Sequence, residues 1–211
     1  RFPHISFDGL EARHGAARAE AMWREAGDAH FAVLDLIEKE QMEVSKQYRG
    51  RYTAACTPAH YEELARKAEA VAMRVPFAFS LCPVDRQRSE IGSDYWHGGL
   101  ILEEHGPLHP GLYHDALSDA ARRAGARIEG RTPVLAIVPD AGGYTVRTRH
   151  HTVKARDVVI CTNGYSSTQH TAAPWVRNRV VPIAAHQIVT EPLSEAVMNE
   201  ILPNRRAMLD S

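Results

Sequence analysis

The residues best arranged for chemistry close an apolar run: Asp157-Val158-Val159-Ile160-Cys161-Thr162-Asn163-Gly164. Val158 to Ile160 read as a strand, and Thr162-Asn163-Gly164 as the small polar turn that ends it. A strand ending in a tight turn lets backbone N–H groups approach a phosphate or ribose with no bulky side chain in the way. Open α/β sheets hold their ligands at such carboxyl ends of strands. In that chemistry Gly164 permits the close approach, while Thr162 and Asn163 supply polar groups. The same spacing also suits an ordinary strand-and-turn excursion with no ligand, because function belongs to a site and not to a fold.

Other chemistries find less support. Of twelve histidines, His105, His109 and His114 are the closest set. Gly106, Pro107, Pro110 and Gly111 interrupt their segment, so no regular helix aligns them, and no His-Glu-x-x-His motif occurs. They are expected to be polar loop residues, with no metal bound. Ser166-Ser167 follows the glycine turn without a Gly-x-Ser-x-Gly elbow. Trp96-His97 is expected to pack and cap rather than face a substrate. Cys56, Cys82 and Cys161 form no Cys-x-x-Cys pair, which favours a reducing, cytoplasmic setting over a disulfide scaffold. Cys161 is expected to be buried. None of the 14 glycines falls into Gly-x-Gly-x-x-Gly spacing.

The elements that position these groups follow from periodicity. From about Leu10 to Met42, Met22, Ala26, Ala29, Val33 and Ile37 recur at helical spacing, widened by Trp23 and Leu34, with Gly27 as a weak point. Residues 44–55 look extended around Arg49-Gly50. Thr57-Pro58 begins a helix that ends near Arg74. Gly98 to Leu102 reads as a short strand. A helix from Pro110, with Leu117, Ala121 and Ala124 on one face, stops at Gly125. Strands are expected at 126–129, 132–138, from Tyr144, at 158–161 and at 180–190, with a hairpin at Asp140 to Gly143, a polar loop from Tyr165 to Thr171 and a helix over 193–202. The fold class is therefore mixed α/β. At 44 % apolar and 24 % charged the composition is that of a soluble protein. A net charge of −1 gives no electrostatic argument for nucleic acid or a membrane. No apolar run approaches the ~18 residues of a span. The basic stretch Arg147 to Arg156 reads as a solvated strand face. Neither end resembles a natural terminus, so a fragment is expected.

The wording of several segments goes further. Tyr95-Trp96-His97-Gly98-Gly99-Leu100, Leu108-His109-Pro110, Gly125-Ala126-Arg127-Ile128 with Thr132-Pro133-Val134, Val158 through Tyr165, Val181-Pro182-Ile183 and Thr190-Glu191-Pro192-Leu193 appear in order. Together they resemble the FAD-dependent D-amino-acid oxidase and glycine oxidase superfamily, and within it the γ-glutamylputrescine oxidase branch. The resemblance covers most of the chain, most strongly from about Gly98 to Leu202.

It implies part of a FAD-binding three-layer ββα domain, from residues 1–44 and 108–168, and part of an antiparallel-sheet substrate domain, from 45–107 and 169–211. It implies that Val134 meets the adenine through its backbone, and that Thr162, Asn163 and Gly164 lie against the ribose and pyrophosphate. The implied reaction oxidises the CH–NH bond of a small amine or amino acid. By the same resemblance, the Gly-rich fingerprint and flavin-ring loop fall before Arg1, and the segment completing the substrate pocket falls after Ser211. No catalytic residue is assigned, and the chain alone is expected to be inactive. Two alternatives stay open: a non-catalytic fragment or interaction module that self-associates through uncovered sheet edges, and a NAD(P)-binding protein of new topology.

Overall fold

A computed structural model describes residues 7–73, 78–166, 172–176 and 179–210. It is a mixed α/β structure with two sheets. By compactness it divides into residues 1–126 with 191–211, and residues 127–190.

The first unit begins with α1 (Phe7–His14) and α2 (Ala16–Lys39). The break between them falls at Gly15, whose φ of 79° is in the left-handed region that glycine tolerates best. Gly27, the weak point in the sequence, stays helical. Trp23 meets Phe7 edge to face at 5.8 Å, and both join Leu10 and Ala19 in a buried cluster. The buried stripe of α2 therefore runs through Ala19, Trp23 and Ile37; Ile37 was in the expected stripe and Trp23 beside it, while Met22 and Val33 are exposed. Packing against α1 fixed the rotation of the helix, and that neighbour is invisible to local periodicity.

α3 (Pro58–Ala72) starts as its sequence dictates: Thr57 Oγ1 accepts the His60 N–H at 3.1 Å, with Pro58 at the first helical position. Its expected end near Arg74 lies outside the described residues. α4 (Pro110–Arg123) is capped by the His109 ring, whose Nδ1 accepts the Leu112 N–H at 3.2 Å. Its inner face is Tyr113, Ala116 and Ala120, packed with Ile37, Met42 and Val44, whereas Leu117 is exposed.

Four strands, β1 (Arg51–Ala54), β2 (Phe79–Cys82), β3 (Gly99–Leu102) and β7 (Ala207–Asp210), form a sheet in the order β2-β3-β1-β7. β3 is antiparallel to both its neighbours, and β7 runs parallel to β1. Every residue of β3 is buried. Ile101 points to a cluster with Tyr52, Ala54, Cys82 and Ile91, while Leu100 and Leu102 point to Ala68 of α3. That is the two-residue alternation of a strand covered on both faces. Residues 44–50 do not pair as a strand; Gln47 N and Gly50 N instead donate to the carbonyls of Pro107 and His105.

β7 follows α5 (Glu195–Ile201), capped by Ser194, and had no sequence signal. One residue ties it in. Arg206 Nη1 donates to the Arg49 carbonyl at 2.7 Å and to Glu103 Oε2 at 2.9 Å. Its Nε stands 3.0 Å from Glu90 Oε2, a charge contact rather than an aligned hydrogen bond. Asn204 donates to the other Glu90 oxygen at 2.9 Å. The guanidinium lies over Gly50, where a Cβ would stand 2.2 Å from Nη1.

The second unit is a meander of β4 (Val134–Asp140), β5 (Gly143–Thr148) and β6 (Thr152–Ala155), antiparallel throughout. The hairpin falls at Ala141-Gly142, as the sequence indicates. Arg147, Arg149, Lys154 and Arg156 are exposed on it. Residues 126–129, 158–161 and 180–190 are not assigned to strands, since no ladder partner stands beside them among the described residues. Cys161 is consequently exposed rather than buried. Val181, Ile183, Ile188 and Val189 are also exposed. No described helix is long and apolar enough to cross a membrane.

Glu90 is 6 % exposed, and Arg206→Met leaves its charge without a counter-ion. Breaking a buried pair from one side costs about 3 kcal/mol or more, and urea unfolding of the variant should show a loss of that order. A loss under about 1 kcal/mol would mean that Arg206 does not hold β7.

Candidate functional site

Thr162, Asn163 and Gly164 come together in one 3₁₀ turn spanning Asn163–Tyr165. The turn is closed by Tyr165 N–H to Thr162 O at 2.9 Å and Ser166 N–H to Asn163 O at 3.1 Å. Asn163 has a φ of 44°, a conformation its short polar side chain tolerates better than most. Thr162 Oγ1 and Ser166 Oγ are 2.6 Å apart, so one hydroxyl donates to the other and the donor's own lone pairs remain for other partners. Ser166 is buried, while Thr162 and Asn163 are exposed. Ser167 and the expected polar loop through Thr171 lie outside the described residues.

Gly164 is informative because the fold does not demand it. Among the described residues, a Cβ there would meet Pro182 alone, at 3.7 and 3.9 Å, which is ordinary contact. Its φ is not in the left-handed region. Glycine at an open, unstrained position leaves room for something to approach the backbone. The first N–H groups of a helical turn have no acceptor within that turn, and they suit an oxygen-rich ligand edge. Such a surface fits the ribose and phosphates of a dinucleotide. Val134 stands elsewhere in the same unit, at the start of β4 opposite Thr148 and 41 % exposed. The apolar run leading into the turn helps line a cavity of about 400 Å³ with Ile137, Pro139, Tyr144, Val158, Ile160 and Trp175.

In the first unit the structure joins residues that sequence spacing did not. His30 of α2 stacks on His105 with centroids 4.8 Å apart. Its Nε2 donates to the Glu104 carbonyl at 2.9 Å and lies 2.9 Å from the Tyr48 hydroxyl, which itself donates to that carbonyl at 2.6 Å. Lys46 Nζ stands 5.5 Å above the Tyr48 ring, within cation–π range. Ser45, just before it, has a φ of 48°, a strain of about 1 kcal/mol. His30, Lys46, Tyr48 and His105, with Arg51, help line a cavity of about 230 Å³. Burial pushes the His105 imidazole down to about 4, helped by Arg51 and His30. Burial, and then Glu104, push the Tyr48 hydroxyl up. His105 was grouped by sequence with His109 and His114; its true neighbours are 57 and 75 residues earlier, and no local pattern could reveal them. His109 is a helix cap and His114 an exposed residue beside Asp115. Among the described residues no three metal-ligating side chains converge. Trp96 packs on the Tyr52 cluster, as expected.

Comparison with known proteins adds three findings. A family model described as FAD dependent oxidoreductase matches residues 6–210. The chain is 25 % identical to a probable oxidoreductase, OrdL, of Haemophilus influenzae, over 93 % of this chain and 46 % of that protein. It is 28 % identical to the gamma-glutamylputrescine oxidoreductase of Escherichia coli, over 58 % of this chain and 28 % of that one. The chain thus spans less than half the length of either relative. Its fold is similar to that of glycine oxidase from Geobacillus kaustophilus, with a TM-score of 0.56 at 19 % identity over 76 % of this chain and 40 % of that one. It is similar also to L-proline dehydrogenase from P. horikoshii, with a TM-score of 0.57 at 16 % identity over 64 % and 37 %.

His105 gives this cavity a pH signature. Its folded value of about 4 lies below the ordinary imidazole value near 6.5. Between the two, the unfolded chain binds a proton that the folded chain does not, so stability rises with pH across this window. The contribution is complete above the ordinary value and is lost as pH falls toward the folded one. His105→Gln should flatten that part of the thermal-midpoint profile; an unaltered acid limb would show that His105 is not the titrating group.

Proposed function

The chain belongs to the FAD-dependent oxidoreductase family, matched across residues 6–210, and on that premise we propose that Thr162, Asn163, Gly164 and Val134 are its contacts with the cofactor. The turn would lie along the ribose and pyrophosphate, with Gly164 giving backbone access, Thr162 and Asn163 offering polar groups, and the Val134 backbone meeting the adenine. The observation that carries this reading is Gly164 itself, a glycine that neither φ nor packing among the described residues requires. When bound, FAD supplies the electron acceptor, and the protein supplies position and electrostatics.

The proposed reaction is oxidation of the CH–NH bond of a small amine or amino acid. Its support is the printed name of one relative, gamma-glutamylputrescine oxidoreductase. We assign residues 1–44 and 108–168 to the cofactor domain and 45–107 and 169–211 to the substrate domain. All four strands of the β2-β3-β1-β7 sheet come from the latter segments, and α2 shares a core with α4 within the former. We place the protein in a reducing compartment such as the cytoplasm, with three free thiols in support. The rest of the active site would come from the portion of the relatives' length that these 211 residues do not span, so the chain alone would not turn over. The exposed run at Val181, Ile183, Ile188 and Val189 favours a second reading, a module whose open edges self-associate or await a partner chain.

Gly164→Ala should weaken FAD binding about tenfold or more, equal to about 1.4 kcal/mol, while stability stays within about 0.5 kcal/mol. Equal FAD affinity in the two proteins would remove Gly164 from the contact. For the reaction, anaerobic addition of γ-glutamylputrescine or glycine to the flavin-loaded protein carrying these residues should bleach the oxidised flavin. Bleaching by a reduced nicotinamide, with none by any amine or amino acid, would contradict the assignment.

A further inference from the structure

On the premise that the Thr162 to Gly164 turn is a cofactor contact, we propose that Asn163-Gly164 is a site of spontaneous deamidation which bound flavin suppresses. Of the four asparagines, Asn163 alone precedes a glycine. The reaction needs a backbone nitrogen that can reach the side-chain carbonyl carbon of the residue before it. A side chain on the attacking residue obstructs that approach, and Gly164 carries none. Among the described residues its N–H meets no acceptor, because the two bonds that close the turn are donated by Tyr165 and Ser166. Asn163 is exposed, and no hydrogen bond holds its side-chain amide among the described residues. Asn199 and Asn204 differ in both respects. Asn199 accepts from Arg205, Asn204 donates to Glu90 at 2.9 Å, and each precedes a residue with a long side chain.

The step balances with water as the only co-reactant. Hydroxide takes the Gly164 amide proton, the nitrogen attacks Asn163 Cγ, and the Cγ–Nδ2 bond breaks. The departing nitrogen takes a proton from water, which restores the hydroxide and releases ammonia. Water then opens the cyclic imide at one of its two carbonyls, leaving either aspartate or isoaspartate, and nothing is oxidised or reduced. Both products spoil the turn as a dinucleotide contact. Aspartate places a negative charge beside the phosphate oxygens, and like charges at contact distance repel. Isoaspartate routes the main chain through Cβ and turns the Asn163 carbonyl, which accepts from Ser166, into a free carboxylate. A bound pyrophosphate acts on the reaction in the opposite sense. An oxygen that accepts the Gly164 N–H engages the attacking nitrogen and covers the open side of the glycine. Flavin thus protects the residue that its own binding uses, and flavin-free protein converts irreversibly to a form that binds it poorly.

The test follows the mass of the peptide that holds Asn163. The protein carrying these residues is kept for several days at mildly alkaline pH, flavin-free and flavin-loaded, beside its own tryptic digest as the unfolded standard. In the flavin-free protein Asn163 should show the one-dalton gain of amide to acid, as in the digest, with Asn199 and Asn204 unchanged. Gly164→Ala should slow that gain severalfold in the flavin-free protein, and bound flavin should slow it at least as much. Asn163→Asp should weaken FAD binding about tenfold or more. Retention of the Asn163 amide in the flavin-free protein while the digest converts overturns the proposal and leaves the cofactor contact standing. Conversion at equal rates with and without bound flavin overturns both. FAD binding by Asn163→Asp equal to the parent's overturns the claim that conversion silences the turn.

Discussion

Backbone N–H and C=O groups leave water only where a partner replaces it, and that requirement decides which apolar runs of this chain become strands. β3 is the clearest case. It has a neighbour on each edge and apolar side chains on each face, so all four of its residues are buried. One helix is placed by the same strand, since Leu100 and Leu102 meet α3, while Ile101 meets the Tyr52 cluster on the other face. Val158 to Ile160 is as apolar as β3, yet no ladder partner stands beside it among the described residues, and Val159 remains 84 % exposed.

The edge of the same sheet shows how a polar residue can do what apolar packing does in the centre. β7 has no periodic signal, and its side chains are partly buried at Ala207 and Met208 and exposed at Leu209 and Asp210. It joins β1 in parallel register, and Arg206 supplies charge contacts to Glu90 and Glu103 together with a backbone bond to Arg49. Glu103 feels a push upward from burial, yet the Ser80 hydroxyl and Arg206 hold its carboxyl below its ordinary value. The carboxylate therefore favours the folded state above its unfolded pKa and ceases to do so as pH falls through the folded one.

Local chemistry was legible in the sequence. Thr57-Pro58, the stop at Gly125 and the turn at Ala141-Gly142 each formed where their side chains or their freedom in φ direct. Rotation of the helices was not. The stripe of α4, set by contact with α2, lies about one residue from its expected face, and contact with α1 turns the first half of α2 toward Ala19 and Trp23 while Ile37 keeps its expected place. The candidate cofactor turn was visible because it is contiguous, from Thr162 to Gly164. The His30–Tyr48–His105 cluster was not, because it is assembled from a helix, an extended segment and a loop far apart in the chain. Family resemblance compensates for part of this, since it carries the order of many short segments that no single one specifies.

The central claim is that the turn after the 158–160 run is a cofactor contact. Amide hydrogen exchange of the chain with and without FAD tests it most directly. The account predicts slowed exchange at Asn163 to Ser166 and at Val134, with β1 and β3 unchanged. Protection confined to other segments, or none at any FAD concentration, would contradict it.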